Sequence, residues 1–119
     1  MSTHIITGIN DYQKEAMRTA SGMAAACTDN LLLNGVMGLN GEAGECIDLV
    51  KKSLFQGHEL DKDRLAHELG DVAWYLAVAA KGIGYDLETV LQMNVDKLRA
   101  RYPDGFTTDK SLHRKPGDE

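Results

Sequence analysis

Two pairs of acidic residues are the part of this sequence best suited to chemistry. Glu42 and Glu45 stand three residues apart, and Glu68 and Asp71 repeat that spacing further along the chain. Residues three apart on a helix share a face, so each pair could reach one ion. Four carboxylates in one place would repel each other and resist ionisation unless a cation lay between them. Ligation by oxygen atoms suits Mg²⁺, Mn²⁺ or Ca²⁺ better than Zn²⁺.

The same pairs allow other interpretations. Glutamate is common on solvated helix faces, so one E-x-x-E pair is a weak indication of a metal site. His67 and Glu68 begin like the zinc-protease motif H-E-x-x-H, but Asp71 stands where the second histidine is required. A di-iron carboxylate bundle normally uses Glu-x-x-His on two helices, and neither pair contains histidine. A site for a hard divalent cation therefore remains the main interpretation, with a solvated acidic face as its alternative.

Four predicted helices would position these pairs, which makes the expected fold all-α. Strand patterns are poor beyond Ile5-Ile6, and both prolines, Pro103 and Pro116, lie near the end of the chain. Capping residues and glycines suggest the helix ends. The first predicted helix runs from about Asp11 to Cys27, with Asn10 as its N-cap and Gln13 in support, and the second runs from about Asn30 to Leu54. The third begins after Asp61 and runs to about Lys81, where Gly82 and Gly84 end it. The fourth has Asp86 as its N-cap and runs to about Arg101.

The second and third predicted helices each carry an apolar stripe at helical spacing. The stripes consist of Leu32, Val36, Leu39, Ala43, Cys46 and Val50, and of Leu65, Leu69, Val72, Leu76, Ala79 and Ile83. Each acidic pair lies on the same rotational side of its own stripe. The short link between Phe55 and Asp61 favours antiparallel neighbours. If the stripes pack face to face, all four carboxylates should therefore converge.

Glycines recur at every third position of the second helix, at Gly35, Gly38, Gly41 and Gly44. Each costs about 1 kcal/mol relative to alanine in a helix interior. We expect close approach of another backbone, or of a ligand, to offset that cost.

The fourth predicted helix carries a complementary set of polar side chains. Asn94 lies within an apolar stripe, and Lys97 and Arg101 share its face; the stripe is Leu87, Val90, Leu91 and Leu98. Polar groups at a core edge are costly unless they meet a partner. The two cations could pair with nearby acids, favour the helix C-terminus, or bind phosphate, which arginine holds through two hydrogen bonds.

Composition sets the broader expectations. The chain has 119 residues, 43% hydrophobic and 26% charged, as in a one-domain globular protein. We assign residues 1–106 to that domain and 107–119 to a polar C-terminal tail. The net charge of −5 argues against a duplex nucleic-acid binder. An apolar run of membrane-spanning length, a signal-peptide layout and a C-x-x-C pair are all absent from the sequence. We therefore expect a cytoplasmic protein whose cysteines are reduced and which has no membrane partner.

Three sequence segments resemble the MazG-like family of the all-α nucleotide pyrophosphatase superfamily. They are Gly-Glu-Ala-Gly-Glu at 41–45, Glu-Leu-Gly-Asp at 68–71, and Asn-Val-Asp-Lys-Leu-Arg-Ala-Arg-Tyr-Pro at 94–103. The resemblance covers about Asn10 to Phe106. It implies a four-helix MazG-like bundle that oligomerises as a homodimer or homotetramer. It also implies Mg²⁺-dependent hydrolysis of a nucleoside triphosphate, NTP or dNTP, to the monophosphate and pyrophosphate, as in nucleotide-pool house-cleaning.

Carried over by position, the resemblance assigns roles to individual residues. Mg²⁺, with Mn²⁺ as a substitute, would be held by four catalytic carboxylates: Glu42, Glu45, Glu68 and Asp71. Lys97 and Arg101 would contact phosphate, and Asn94 would orient substrate or a metal-bound water. That water would attack the α-phosphorus, with Glu45 or Glu42 as the proton acceptor. Tyr75, four residues beyond Asp71, could stack a base or could pack on the fourth helix as a rim residue.

Two further expectations concern the function class and the assembly. The alternative to an enzyme is a non-catalytic nucleotide-binding regulatory protein of the same fold, which the intact acidic set argues against. Trp74 lies on the far side of the third helix from its apolar stripe. The first or fourth helix could cover it, or a partner subunit could. Because a thin core leaves few elements for this purpose, we expect Trp74 to lie at a subunit contact.

Overall fold

Helices account for all the regular structure in the part of the chain that is described. The computed structural model describes residues 3–24 and 28–118, and it contains no strand within them. The helices are, in order, α1 (Ile9–Ala24), α2 (Thr28–Phe55), α3 (Lys62–Gly82), α4 (Leu87–Arg101) and α5 (Thr108–Leu112). The all-α prediction is confirmed, and the short α5 in the polar tail was not predicted. The predicted end of the first helix, Cys27, lies outside the described residues. Within those residues, no helix is long and apolar enough to cross a membrane.

Local signals account for the ends of α3. The Asp61 side chain accepts a hydrogen bond from the backbone N–H of Arg64 at 3.0 Å and so caps the first turn. After the last turn, Gly84 has a φ of +82°, a backbone conformation that favours glycine. The Tyr85 N–H then bonds to the carbonyl of Ala80 at 2.9 Å. Both ends lie where the sequence predicts them.

The start of α1 differs from the prediction. The helix begins at Ile9, so Asn10 is already helical and does not cap it. The Asp11 carboxylate reaches back instead and accepts a hydrogen bond from the Thr7 N–H at 2.9 Å. Gln13 takes no part in this cap, because its side chain points into the core.

The chain divides into two compact units, Met1–Leu87 and Glu88–Glu119. In the first unit, α2 and α3 pack along each other. The backbone at Gly82 meets Leu32, that at Gly35 meets Ala79, and Gly38 lies under the ring of Tyr75. Positions that ascend along α2 thus meet positions that descend along α3, so the two helices are antiparallel, as the short link predicted.

Glycine, rather than the predicted apolar stripes, determines the seam between α2 and α3. A Cβ added at Gly35 would lie 2.7 Å from the backbone nitrogen of Ala79, and one at Gly82 would lie 2.7 Å from that of Leu32. Bulky side chains cannot occupy a contact this close, so the helices turn their glycines inward. The predicted stripes are therefore wrong in part, since four of their members are exposed: Val36, Ala43, Leu69 and Ile83.

Helix α1 covers the opposite side of α3. The Trp74 indole N–H donates to the Ala16 carbonyl at 3.1 Å and lies 2.9 Å from the Thr19 hydroxyl. The ring packs on two small core clusters that α1 and α3 form together with Leu31 of α2 and Leu87 of α4. Helix α1 thus supplies both the apolar cover and the hydrogen-bond acceptor within one chain, which was the alternative to cover by a partner subunit. A subunit contact at or near this face of α3 stays a prediction.

Gln13 connects α1 to the end of α3 and to the first residue of α4 through hydrogen bonds. Its buried side-chain amide donates to the carbonyls of Ala77 at 3.1 Å and Tyr85 at 3.2 Å. Its side-chain oxygen accepts the Leu87 N–H at 2.9 Å. All three polar contacts of this amide are buried or half-buried, where an unpaired group would cost roughly 1–3 kcal/mol.

The glycine seam leads to a stability prediction. We expect Gly35→Ala to lower the free energy of unfolding by about 1–3 kcal/mol, because the added methyl group meets backbone atoms that cannot rotate away. Gly41→Ala is the matched control, since nothing lies within 4 Å of a Cβ built there. That control should instead gain up to about 1 kcal/mol of helix propensity. Urea unfolding measures both changes. Equal effects of the two substitutions would contradict the seam as described.

The second unit contains most of α4 and all of α5. On α4, residues 91–100 are exposed, so the predicted stripe around Asn94 is not buried as expected. At the end of the helix, the Arg101 guanidinium forms a two-point ion pair with Asp118, with N–O distances of 2.6 and 2.9 Å. This pair joins α4 to the C-terminal tail.

Candidate metal centre

Three carboxylates meet across the α2–α3 seam. Glu42 comes from α2, Glu68 and Asp71 come from α3, and each offers an oxygen within 4.8 Å of the other two. Glu42 lies one turn beyond Gly38, so it continues the row of residues that faces α3. The acidic residues were predicted to lie at the edge of the packing stripes. Glu42 and Glu68 instead lie in the seam itself and are half-buried.

Glu45 lies outside this group of three. Its side chain is exposed on α2, although its charge still contributes to the repulsion felt by Glu42. The expected convergence of four carboxylates is therefore seen for three of them. Glu45 follows Glu42 by three residues, which is a rotation of about 300° around α2, so it lies farther from the seam and closer to solvent.

The carboxylates perturb one another. The pKa of Glu42 is raised above its usual range, first by a hydrogen bond with Glu68, then by burial and by the negative charges of Asp71, Glu68 and Glu45. A hydrogen bond between two carboxyl groups requires a proton on one of them. A cation bound between these carboxylates would offset the repulsion that raises the pKa of Glu42.

Two neighbours of the cluster were not predicted from the sequence. Burial raises the pKa of the Tyr12 phenol on α1, and the charge of Asp71 raises it further. Burial also raises the pKa of the Cys46 thiol, with added contributions from all four acidic residues. Tyr12 reaches this region only because α1 packs on α3, and no spacing within the sequence signals that contact.

The donor set fits Mg²⁺. Two oxygens bound to one Mg²⁺ at about 2.1 Å lie at most about 4.2 Å apart. The three carboxylate oxygens lie within 4.8 Å of one another, so small side-chain rotations would bring them into range. Mg²⁺ is usually held by a few carboxylates and keeps positions for water or phosphate oxygens. Three protein ligands would leave such positions open.

Tyr75 lies one turn along α3 from Asp71. Its ring covers Gly38, occupying the space that a Cβ at that position would need. It also meets the Trp74 ring edge to face, with a centroid distance of 5.0 Å. The ring is thus packed in the α2–α3 seam of the first unit and is half-buried.

The three predicted substrate-binding residues of α4 belong to the second unit. Asn94 and Lys97 are exposed, and Arg101 is largely buried against Asp118. Lys97 and Arg101 line the same cavity, whereas Asn94 is not among its lining residues. The pairing of Arg101 with Asp118 was not predicted, because seventeen residues separate them in the chain.

Comparisons with known proteins add to this geometry. The model of the MazG nucleotide pyrophosphohydrolase domain matches residues 33–106, which include the three clustered carboxylates and all of α4. The Gene 37 protein of Mycobacterium phage L5 is 39% identical over 99 residues, covering 78% of this chain and 87% of the phage protein. No solved structure gives a significant match. Because the family model spans more than half of the sequence, the chain belongs to the MazG nucleotide pyrophosphohydrolase domain family.

Proposed function

We propose that the protein hydrolyses a nucleoside triphosphate, NTP or dNTP, to the monophosphate and pyrophosphate, in a reaction that requires Mg²⁺ and accepts Mn²⁺. The observation that carries the proposal is the meeting of Glu42, Glu68 and Asp71 across two helices of a MazG-family domain. Nucleotide-pool house-cleaning is the role that fits such a reaction.

The clustered carboxylates would hold the cation and, through it, the substrate. Bound Mg²⁺ supplies neutralisation of triphosphate oxygens and activation of water for attack. The seam positions of Glu42 and Glu68 restrict their side chains, so the ligands are preorganised rather than free on a surface. Asp71 is the exposed member of the three, so a cation bound to it would be accessible to substrate from solvent.

Glu45 is the better of the two candidates for the general base. Glu42 belongs to the group of three that would bind the cation, which limits its use as a base. Glu45 lies one turn away, exposed and outside that group. A carboxylate that is not saturated by the cation could accept a proton from the attacking water.

The family motif also suggests substrate contacts for three residues of α4. Lys97 and Arg101 would bind phosphate, and Asn94 would orient the substrate, as their positions in the family motif suggest. Arginine holds phosphate through a planar pair of donors, and lysine acts as a point charge. Tyr75 is a further candidate for contact with the base, although its ring already packs on Gly38.

The products test the reaction directly. With Mg²⁺ and a mixture of common and modified nucleoside triphosphates, we expect monophosphate and intact pyrophosphate in equal amounts. In water enriched in ¹⁸O, attack at the α-phosphorus should place the heavy oxygen in the monophosphate. Orthophosphate with a nucleoside diphosphate would mean attack at the γ-phosphorus and would refute the mechanism. Tight triphosphate binding without any product would favour the non-catalytic regulatory alternative.

We also propose that the chain works as a homodimer or homotetramer. The side of α2 opposite the glycine seam carries large exposed apolar residues, together with the polar Asn40 and Lys51; we call its apolar and small members, Leu33, Met37, Gly44, Ile47 and Leu54, the outer α2 face. They extend for about 30 Å along the helix. Large exposed apolar side chains grouped on one helix face are typical of an interaction site. A second copy of α2 is the partner that matches its length and apolar character.

A further inference from the structure

The second unit contains a cavity whose charge is strongly one-sided. The cavity has a volume of about 630 Å³, within the range of small-molecule sites. Among its described lining residues, five carry a positive charge and one carries a carboxylate. The charged lining residues are Lys97, Arg101, Lys110, Arg114, Lys115 and Asp118.

The tail supplies most of this charge. Lys110 belongs to α5, and Arg114 and Lys115 follow it, all beyond the last residue matched by the family model at 106. Lys97 and Arg101 come from α4. The described lining is therefore strongly basic, with Asp118 as its one carboxylate, which suits an anionic ligand.

Asp118 is paired with the Arg101 guanidinium, the side chain in the cavity that is best suited to bind an anion. Its two carboxylate oxygens accept hydrogen bonds from Nε and Nη2 of Arg101 at 2.9 and 2.6 Å. The side chains are only 8% and 18% exposed, respectively, for Arg101 and Asp118. A phosphoryl group presents the same pair of acceptors to a guanidinium fork that a carboxylate does. Asp118 therefore stands where one end of a phosphate ligand would bind.

We propose that Asp118 regulates phosphoryl binding in this cavity: its carboxylate holds the Arg101 guanidinium until a phosphoryl ligand displaces it. The ligand class rests on the proposed function, because a triphosphate substrate and its pyrophosphate product both carry these groups. Electrostatics favours replacement of the Asp118 carboxylate by pyrophosphate, because pyrophosphate carries more negative charge than one carboxylate. The tail would then act as an internal competitor of the ligand.

Pyrophosphate binding to the full chain tests this proposal. Calorimetry is done with a chelator present, so that the carboxylate cluster of the first unit contributes no metal-mediated binding. We expect Asp118→Asn to bind pyrophosphate about tenfold more tightly than the natural sequence, because one charged competitor is removed. The double substitution Lys110→Gln and Lys115→Gln should weaken binding by about tenfold or more through loss of two charges. Failure of pyrophosphate to bind either the natural protein or Asp118→Asn would overturn the proposal.

Matched controls separate this site from general charge effects. Arg99→Gln changes the same helix that carries Arg101, but Arg99 does not line this cavity. Asp104→Asn removes an exposed carboxylate that also lies outside the lining. Both should bind pyrophosphate within about twofold of the natural protein. Equal changes in these controls would overturn the assignment to the cavity.

A second measurement covers the case in which Asp118→Asn loosens the tail. The NMR signal of the Arg101 Nε–H should move when pyrophosphate is added to the natural protein. If it does not move and Asp118→Asn binds no more tightly, the proposal is wrong. Citrate binding as tightly as pyrophosphate would also contradict it, since phosphoryl selectivity would be lost. A nucleoside triphosphate that binds at least as tightly as pyrophosphate supports it.

The result is independent of turnover. Pyrophosphate binding that persists in Asp71→Asn with chelator present supports the cavity even if no triphosphate is hydrolysed. Hydrolysis by a protein that fails these binding tests would leave the proposed function intact and remove only this inference.

Discussion

Replacing Asp71 with asparagine should lower the rate of triphosphate hydrolysis by about 100-fold or more, because the cation loses one of its charged ligands. The substitution keeps the size of the side chain and removes its negative charge. Asp71 is exposed, so the folded structure should tolerate the change. Steady-state assays of pyrophosphate release with saturating Mg²⁺ measure the effect.

Glu45→Gln should lower the rate of triphosphate hydrolysis to a similar extent if Glu45 accepts the proton of the attacking water.

Asp63→Asn is the control for this experiment. Asp63 lies on α3 as well, exposed in its first turn and outside the group of three carboxylates. We expect its rate to stay within about twofold of the natural protein, as for most surface substitutions. Excess chelator should abolish hydrolysis by the natural protein. Full activity in chelator, or in Asp71→Asn, would eliminate the carboxylate cluster as the metal centre.

A charge placed on the outer α2 face should break the assembly. Ile47 is 63% exposed and lies between Gly44 and Leu54 on this face. If a second copy covers it, Ile47→Glu would bury a carboxylate without a partner, at a cost of several kcal/mol per site. We expect the natural protein to sediment as a dimer or tetramer and Ile47→Glu to sediment as a monomer near 13.0 kDa at low micromolar concentration.

Ile5→Glu provides the same change of residue type away from α2. Ile5 is exposed in the segment that precedes α1, and its substitution should leave the assembly unchanged. If the natural protein is already a monomer and hydrolyses triphosphates, the outer α2 face has another role and the assembly proposal fails. If both variants remain assembled, another surface forms the subunit contact.

The sequence predicted the helices and the antiparallel pair because both depend on local signals. Asp61 caps α3 and Gly84 ends it through conformations that neighbouring residues specify. The meeting of the acidic residues followed from their spacing and from the short link before Asp61. These inferences required no knowledge of what lies across the seam.

The identity of the seam was harder to predict. Hydrophobic periodicity placed Val36 and Leu69 between α2 and α3, yet both are exposed. Periodicity detects apolar faces, and α2 has apolar residues on two sides. The side that meets α3 is chosen by the room that Gly35 provides for close approach, a steric property that a hydrophobic pattern does not measure.

Long-range contacts explain the remaining differences. The hydrogen bond from Trp74 to Ala16 spans 58 residues, and the pairing of Arg101 with Asp118 spans 17. Neither has a signature in sequence spacing. The short α5 did have a local signal, since Thr107 caps it by accepting the Lys110 N–H at 3.2 Å, but the polar composition of the tail obscured it.

The hydrogen-bonded indole between α1 and α3 also makes the protein its own optical probe. The chain contains one tryptophan, so its ultraviolet-excited emission at long wavelength comes from a single place. That ring touches α1 through Ala16 and Thr19, and the α2–α3 seam through the neighbouring Tyr75. Separation of α1 from α3 would wet the ring and shift its emission to the red while α2 and α3 stayed paired. Fluorescence and far-ultraviolet circular dichroism, followed in one titration, would therefore distinguish undocking of α1 from melting of the helices.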